Sequence, residues 1–198
     1  LPSPLLSSVV ENCIQKQCDV TAGGALYNFS GIQAIQPANI ADSLAAIKAL
    51  IYEQKSVGAT DLLAALRDNF AGRESLIRLI RCVPKYGNDI DWVDEIADRW
   101  ATFFAEQLKS YVNVRGGRYH MGLYTVSAHI PMGCAVGATP DGRLAGEPLA
   151  DGGMSPMAGK DVNGPTAVLR SVARINSSLA SNGTLLNMKF LPDVFGSE

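Results

Sequence analysis

Eleven of the chain's 19 glycines crowd into positions 116–164, and that crowding divides it into halves that cannot fold alike. A glycine inside a helix costs roughly 0.5–1 kcal/mol against alanine, so the later half has to run as loops and strands. The earlier half carries the opposite pattern. Ile40, Leu44, Ile47, Leu50 and Ile51 recur at helical spacing, with Pro37 just outside and Asn39 placed as an N-cap, which predicts a helix to about Gln54. Thr60 caps a second helix, which carries Leu62, Leu63, Leu66 and Phe70 and ends near Gly72. Residues 75–83 form a third, stopped by Pro84. A fourth starts at Asn88, sets Asp89 and Asp91 against the positive end of its dipole, and stripes Val93, Ile96, Trp100, Phe103, Phe104 and Leu108 to about Tyr111. A shorter apolar helix candidate, 5–17, precedes them.

Beyond residue 112 the texture changes. Residues 121–130 read as a strand, with Gly122, Tyr124, Val126 and Ala128 alternating against Met121, Leu123, Thr125, Ser127 and His129 until Pro131 ends the run. Neither face is strongly polar, so such a strand expects cover on both sides. Residues 133–163 form an irregular segment, longer than the ~12–15 residues at which unstructured loops become uncommon unless functional or packed. Gly164-Pro165 then opens a helix with proline in its first turn and Val168, Val172, Ile175 and Leu179 on one face. Asn182-Gly183 turns the chain into a last strand, 184–191. The division is thus a mainly helical part, 1–112, and a part of strands, long loop and one helix, 113–198.

Charge narrows the function classes. With 17 basic against 19 acidic residues, the chain offers no field to gather nucleic acid, and no run approaches the ~18 apolar residues of a membrane span. Only 18% of residues are charged, where about a quarter is usual, and mean hydropathy is +0.09. That balance, together with an opening at Leu1 rather than Met, reads as an internal segment of a larger body. The start lacks the basic region of a secretory signal, so the expected location is cytoplasmic. Cys13, Cys18, Cys82 and Cys134 form no C-x-x-C pair, and His120 and His129 are not spaced like zinc ligands, which points to reduced thiols and no metal. No G-x-S-x-G elbow, P-loop or dinucleotide fingerprint occurs.

The distinctive string is Thr139-Pro140-Asp141-Gly142-Arg143, continued by Ala145-Gly146-Glu147-Pro148-Leu149-Ala150-Asp151-Gly152, Ser155-Pro156, Gly159-Lys160-Asp161 and Gly164-Pro165-Thr166-Ala167. With Gly23-Gly24-Ala25 and Tyr27-Asn28 upstream, it resembles the pyruvate formate-lyase-like glycyl radical enzymes over essentially the whole chain, and the diol-dehydratase branch more than pyruvate formate-lyase itself. The resemblance implies an α/β fold, a portion of a ten-stranded barrel of two antiparallel sets of five parallel strands. It implies a radical lyase that eliminates water or a similar group from a small molecule, works as a homodimer, and is activated by a radical S-adenosylmethionine enzyme. The family's cysteine loop reads G-C-x-E, which none of the four cysteines here reproduces. The echo of its R-V-x-G-Y glycine context at 114–119 lies upstream of the Thr139–Arg143 string rather than downstream, and is set aside. On this reading no catalytic residue and no cofactor is held directly. The glycyl radical is expected on a residue outside this chain, and the chain alone is expected to be inactive.

Matched onto the family, Tyr124 and Val126 line the substrate space, a phenol being able to hydrogen-bond a substrate hydroxyl while excluding water. Asp141, Arg143, Asp151 and Asp161 are expected to lock the long loop by pairing with its backbone groups, and His129 to be a satisfied structural histidine. The rival readings are acyl transfer of the formate acetyltransferase kind and a non-catalytic scaffold or interaction segment.

Overall fold

In the computed structural model of the chain, the described residues are 1–190. Two long helices organise them. Helix α2 (α1 is the short Pro4–Val9) spans Pro37–Ile47, with Pro37 in its first turn behind Gln36 at φ 67, and its final turns widen into a π-helical stretch, Lys48–Glu53. The expected helix is therefore present to the expected end. Helices α3 (Ala59–Arg67) and α4 (Glu74–Cys82) follow, then α5 (Asp91–Leu108), which packs against α2. That contact is made by alanines: Ala38, Ala41, Ala45 and Ala49 on one side, and Ala97, Ala101 and Ala105 on the other, are all buried. Small side chains let the two backbones approach, while Ile47, Ile96, Trp100 and Phe104 pack around the rim.

Strand β1 (Ser30–Gln33) lies parallel to β2 (Tyr119–Gly122), in the register Ser30↔Tyr119 to Gln33↔Gly122. A single parallel bridge, Leu123↔Thr184, extends the pairing, with Leu123 N–H donating to the Gly183 carbonyl and Leu185 N–H to the Leu123 carbonyl. The expected ten-stranded barrel is thereby corrected. The described residues are mostly helical, and their only sheet is this two-stranded, open one. Two strands, with only the short 182–185 segment bonded along the free side of β2, cannot close a ring.

The expected strand at 121–130 fails for a local reason. The ladder stops at Gly122, Val126 takes φ 52, Ala128 N–H bonds back to the Thr125 carbonyl, and the chain coils into α6 (His129–Ala135). A run apolar on both faces fits a strand–turn–helix as well as a strand, so its periodicity did not discriminate. Of the expected strand 184–191, Thr184 and Leu185 pair with Leu123, and Leu191 lies outside the described residues.

Helix α7 (Pro165–Arg174) begins as expected and is tied to α5. Ser171 Oγ donates to Asp94 Oδ2 at 2.9 Å and accepts from Asp89 N–H, Arg174 meets Asp91 at 2.5 Å, and Arg170 meets Asp89 at 3.0 Å.

Candidate functional site

Tyr124 follows directly on β2, and its position is cut into the backbone by glycines. A Cβ on Gly122 would fall 2.5 Å from the ring carbon Cε1, whereas one on Gly183, at φ 108, would make only ordinary contact with the same ring at 3.8 Å. The phenol oxygen accepts a hydrogen bond from Asn182 Nδ2 at 2.9 Å. That amide in turn occupies the space a side chain at Gly31 would need, since a Cβ there would come 2.2 Å from Nδ2. The backbone of residues 123–124 is braced from behind by Gly153, whose Cβ would collide with the Leu123 carbonyl. Tyr124 is half-buried. Val126, in the bend that follows, is 70% exposed, and its positive φ is an unusual backbone state for a β-branched residue.

The long loop is held from within and from α2. Arg143, itself buried, donates to the carbonyls of Leu144, Glu147, Val136 and Gly137 and, through Nε, to Thr139 Oγ1. Asp141, also buried, accepts from Thr139 Oγ1, from Arg143 N–H and, at 2.7 Å, from Asn39 Nδ2. Asn39 Oδ1 accepts from Ala150 N–H, and Gln36 Nε2 donates to the Ala150 carbonyl. Asp151 accepts from Gly152 N–H and Asn187 Nδ2, and its Oδ1 stands 3.6 Å from His129 Nδ1. That buried nitrogen makes no hydrogen bond among the described residues, so His129 is not the fully satisfied histidine expected. Asp161 is exposed on the wall of a cleft of about 550 Å³, shared with Asp151, Ser155, Asn187 and Lys189.

The structure thus joins Asp141 and Arg143 in one buried cluster, while Asp151 and Asp161 meet only across the cleft. Three residues that the sequence reading passed over complete the picture. Asn39 does not cap α2 but bridges it to the loop, Asn182 touches Tyr124, and Asp42 is buried on α2, where it accepts from the Tyr86 N–H. Burial pushes the Asp42 carboxyl up to about 7, against the opposing pull of the Tyr86 N–H it accepts and of Lys85. Lys85 is lowered by its own burial and donates to the Ile80 and Val83 carbonyls at the end of α4. The four cysteines are free thiols. Among the described residues no group of His, Cys, Asp and Glu is arranged to hold a metal ion, and no helix is long and apolar enough to cross a membrane.

Comparison with known proteins gives this geometry a context. The family model described as pyruvate formate lyase-like matches residues 1–133, and that described as glycine radical matches residues 150–198. The glycerol-bound, B12-independent glycerol dehydratase of Clostridium butyricum is 44% identical and superposes with a TM-score of 0.94, covering 100% of this chain and 25% of that one. A structure concerned with 1,2-propanediol dehydration in Roseburia inulinivorans is 45% identical with the same TM-score, covering 99% and 26%. Trans-4-hydroxy-L-proline dehydratase of Clostridioides difficile is 40% identical over 199 residues, which are 100% of this chain and 25% of that protein. The chain therefore spans about a quarter of the length of these relatives. One expectation is overturned: the glycine-radical module does not lie outside this chain, because its family model matches from residue 150 onward. The likeness is spread over residues 150–198, from within the long loop onward, and is not carried by one short R-V-x-G-Y string. On the match over residues 1–133 and the relatives that span its full length, this chain belongs to the pyruvate formate lyase-like family of glycyl radical enzymes.

Proposed function

We propose that this chain works within a protein of its relatives' length, as part of a glycyl radical lyase of the dehydratase type that eliminates water or a comparable group from a hydroxylated small molecule. The observation that carries this reading is the superposition, at a TM-score of 0.94 and over the whole chain, on a dehydratase with glycerol bound. In this role Tyr124 and Val126 line the substrate space. The half-buried phenol offers a polar contact, and the glycine slot beneath it fixes the ring to within a side-chain rotamer. Such chemistry needs a site that shields a carbon radical from water and oxygen and keeps reacting atoms near contact distance. Asp141 and Arg143 contribute at one remove, by keeping the Gly-rich loop rigid, and Asp151 and Asp161 edge the cleft beside it. A radical S-adenosylmethionine activase and a second copy of the protein are the proposed partners.

The test is anaerobic incubation of the full-length protein with an activase and S-adenosylmethionine, then with glycerol, 1,2-propanediol or trans-4-hydroxy-L-proline. The expected result is an EPR doublet from a backbone radical followed by loss of water from at least one compound. A radical that dehydrates none of them, but cleaves pyruvate in the presence of coenzyme A, would replace elimination with acyl transfer.

A further inference from the structure

Tyr124 Oη has one hydrogen to give and lone pairs to receive with. Asn182 Nδ2 donates to that oxygen at 2.9 Å, and the phenol makes no other hydrogen bond among the described residues. Its hydrogen is therefore not taken up by any of the described residues. The arrangement is built rather than incidental. The amide sits where a side chain at Gly31 would be, and the ring sits where one at Gly122 would be.

Resting on the reading of Tyr124 as substrate-lining, we infer that Asn182 is a positioning residue. By donating to the phenol oxygen it leaves the phenol hydrogen to point outward, so the substrate group that meets Tyr124 is a hydrogen-bond acceptor oxygen rather than an ammonium. An amide turned the other way, Oδ1 toward the phenol, would draw the hydrogen inward and present only lone pairs to the substrate. Asn182→Asp imposes that second state permanently, because a carboxylate only accepts. Asn182→Leu removes the polar partner while keeping the side chain's bulk, so the phenol hydrogen stays available but is no longer aimed.

The experiment measures 1,2-propanediol with the full-length protein in two ways: the dissociation constant of the unactivated protein by calorimetry, and kcat and KM after activation. Asn182→Asp is expected to raise both the dissociation constant and KM about tenfold, in step with Tyr124→Phe, with little change in melting temperature. Asn182→Leu is expected to raise them only two- to threefold. An Asp variant that binds like the parent while Tyr124→Phe is weakened overturns the inference and leaves the function reading standing. A Leu variant weakened as much as the Asp variant also overturns it, since loss of packing then explains both. A parent that does not bind the diol is measured with glycerol and trans-4-hydroxy-L-proline instead; if it binds none of the three, the function reading falls and takes the inference with it, and if Tyr124→Phe binds unchanged, the substrate-lining role of Tyr124 falls and the inference with it.

Discussion

Arg143 illustrates how much a single side chain can hold in a loop without regular structure. Its guanidinium reaches four carbonyls and one hydroxyl from a buried position; without the fork the Leu144 and Val136 carbonyls keep only the N–H of Glu147 and of Gly146, and the Glu147 and Gly137 carbonyls lose their donor. Arg143→Lys keeps the charge but offers one point donor in place of a planar set. It is expected to destabilise the protein by about 3–5 kcal/mol, read as a lowered melting temperature, whereas Arg78→Lys on the exposed side of α4 should be neutral. Asp42 makes a prediction of the opposite kind. Its carboxyl is raised from 3.8 to about 7 in the folded protein, so the folded state binds the proton more tightly than the unfolded one. Its contribution is fully present below about pH 4 and is lost as pH rises through 7. Asp42→Asn, which can still accept the Tyr86 N–H, should flatten the stability profile over that window and stabilise the protein at pH 8. A variant less stable than the parent at pH 8 would contradict the burial argument. Residue identities made some of this legible: Asp and Arg in an irregular run pointed to the loop, where Asp141 and Arg143 now stand buried. Asn39 and Asn182 gave no such signal. An asparagine before a helix or a turn looks the same whether its amide serves its own backbone or a group more than fifty residues away.

At the level of elements, helix existence was readable and helix orientation was not. The positions of α2 to α5 and α7 follow from apolar spacing, proline and first-turn acids, but the apolar stripe expected on α5 coincides only in part with its buried face: Val93 and Leu108 are buried, Ile96, Trp100 and Phe104 pack at the rim, and Phe103 is exposed. Phe103 is 61% exposed while Ala101 is 1% exposed, because the centre of the α2–α5 contact belongs to the residues that permit the closest approach. Hydrophobic bulk marks the rim of such a contact, and alanine, a weak hydrophobic signal, marks its middle. Ala101→Leu should therefore cost about 1–3 kcal/mol by overpacking, and Phe103→Ala should change stability by less than the resolution of a denaturant melt. Strands were the weak point for a related reason. Four-residue segments such as β1 carry too little pattern to stand out, and the apolar run after β2 was spent on a turn and α6.

Among the described residues the small sheet carries only the short 182–185 segment along the free side of β2, and Leu5, Val9, Tyr27, Phe29, Val114 and Val126 are exposed. Yet the Gly-rich half of the molecule is less loose than its composition suggests. Ala150 is held by Asn39, Val162 and Asn163 by Asn88, and Tyr86 Oη donates to the Met154 carbonyl. Hydrogen exchange should show the Arg143, Ala150 and Val162 amides protected well beyond their exposed neighbours in the same loop, with the strongest protection in α2 and α5. Uniformly fast exchange from 138 to 163 would refute the anchoring. The parallel register of β1 with β2 also bears on the order of assembly. Ser30 meets Tyr119 only after a detour of roughly 90 residues, and closing a loop of that length carries an entropy penalty of about 4 kcal/mol. The helices inside the detour bury their alanine faces through nearer contacts and have no reason to wait. As the chain leaves the ribosome, residues 30–33 emerge long before their partner exists, so β1 has to wait for β2, and any pause before residue 122 leaves an unclaimed strand in the cell.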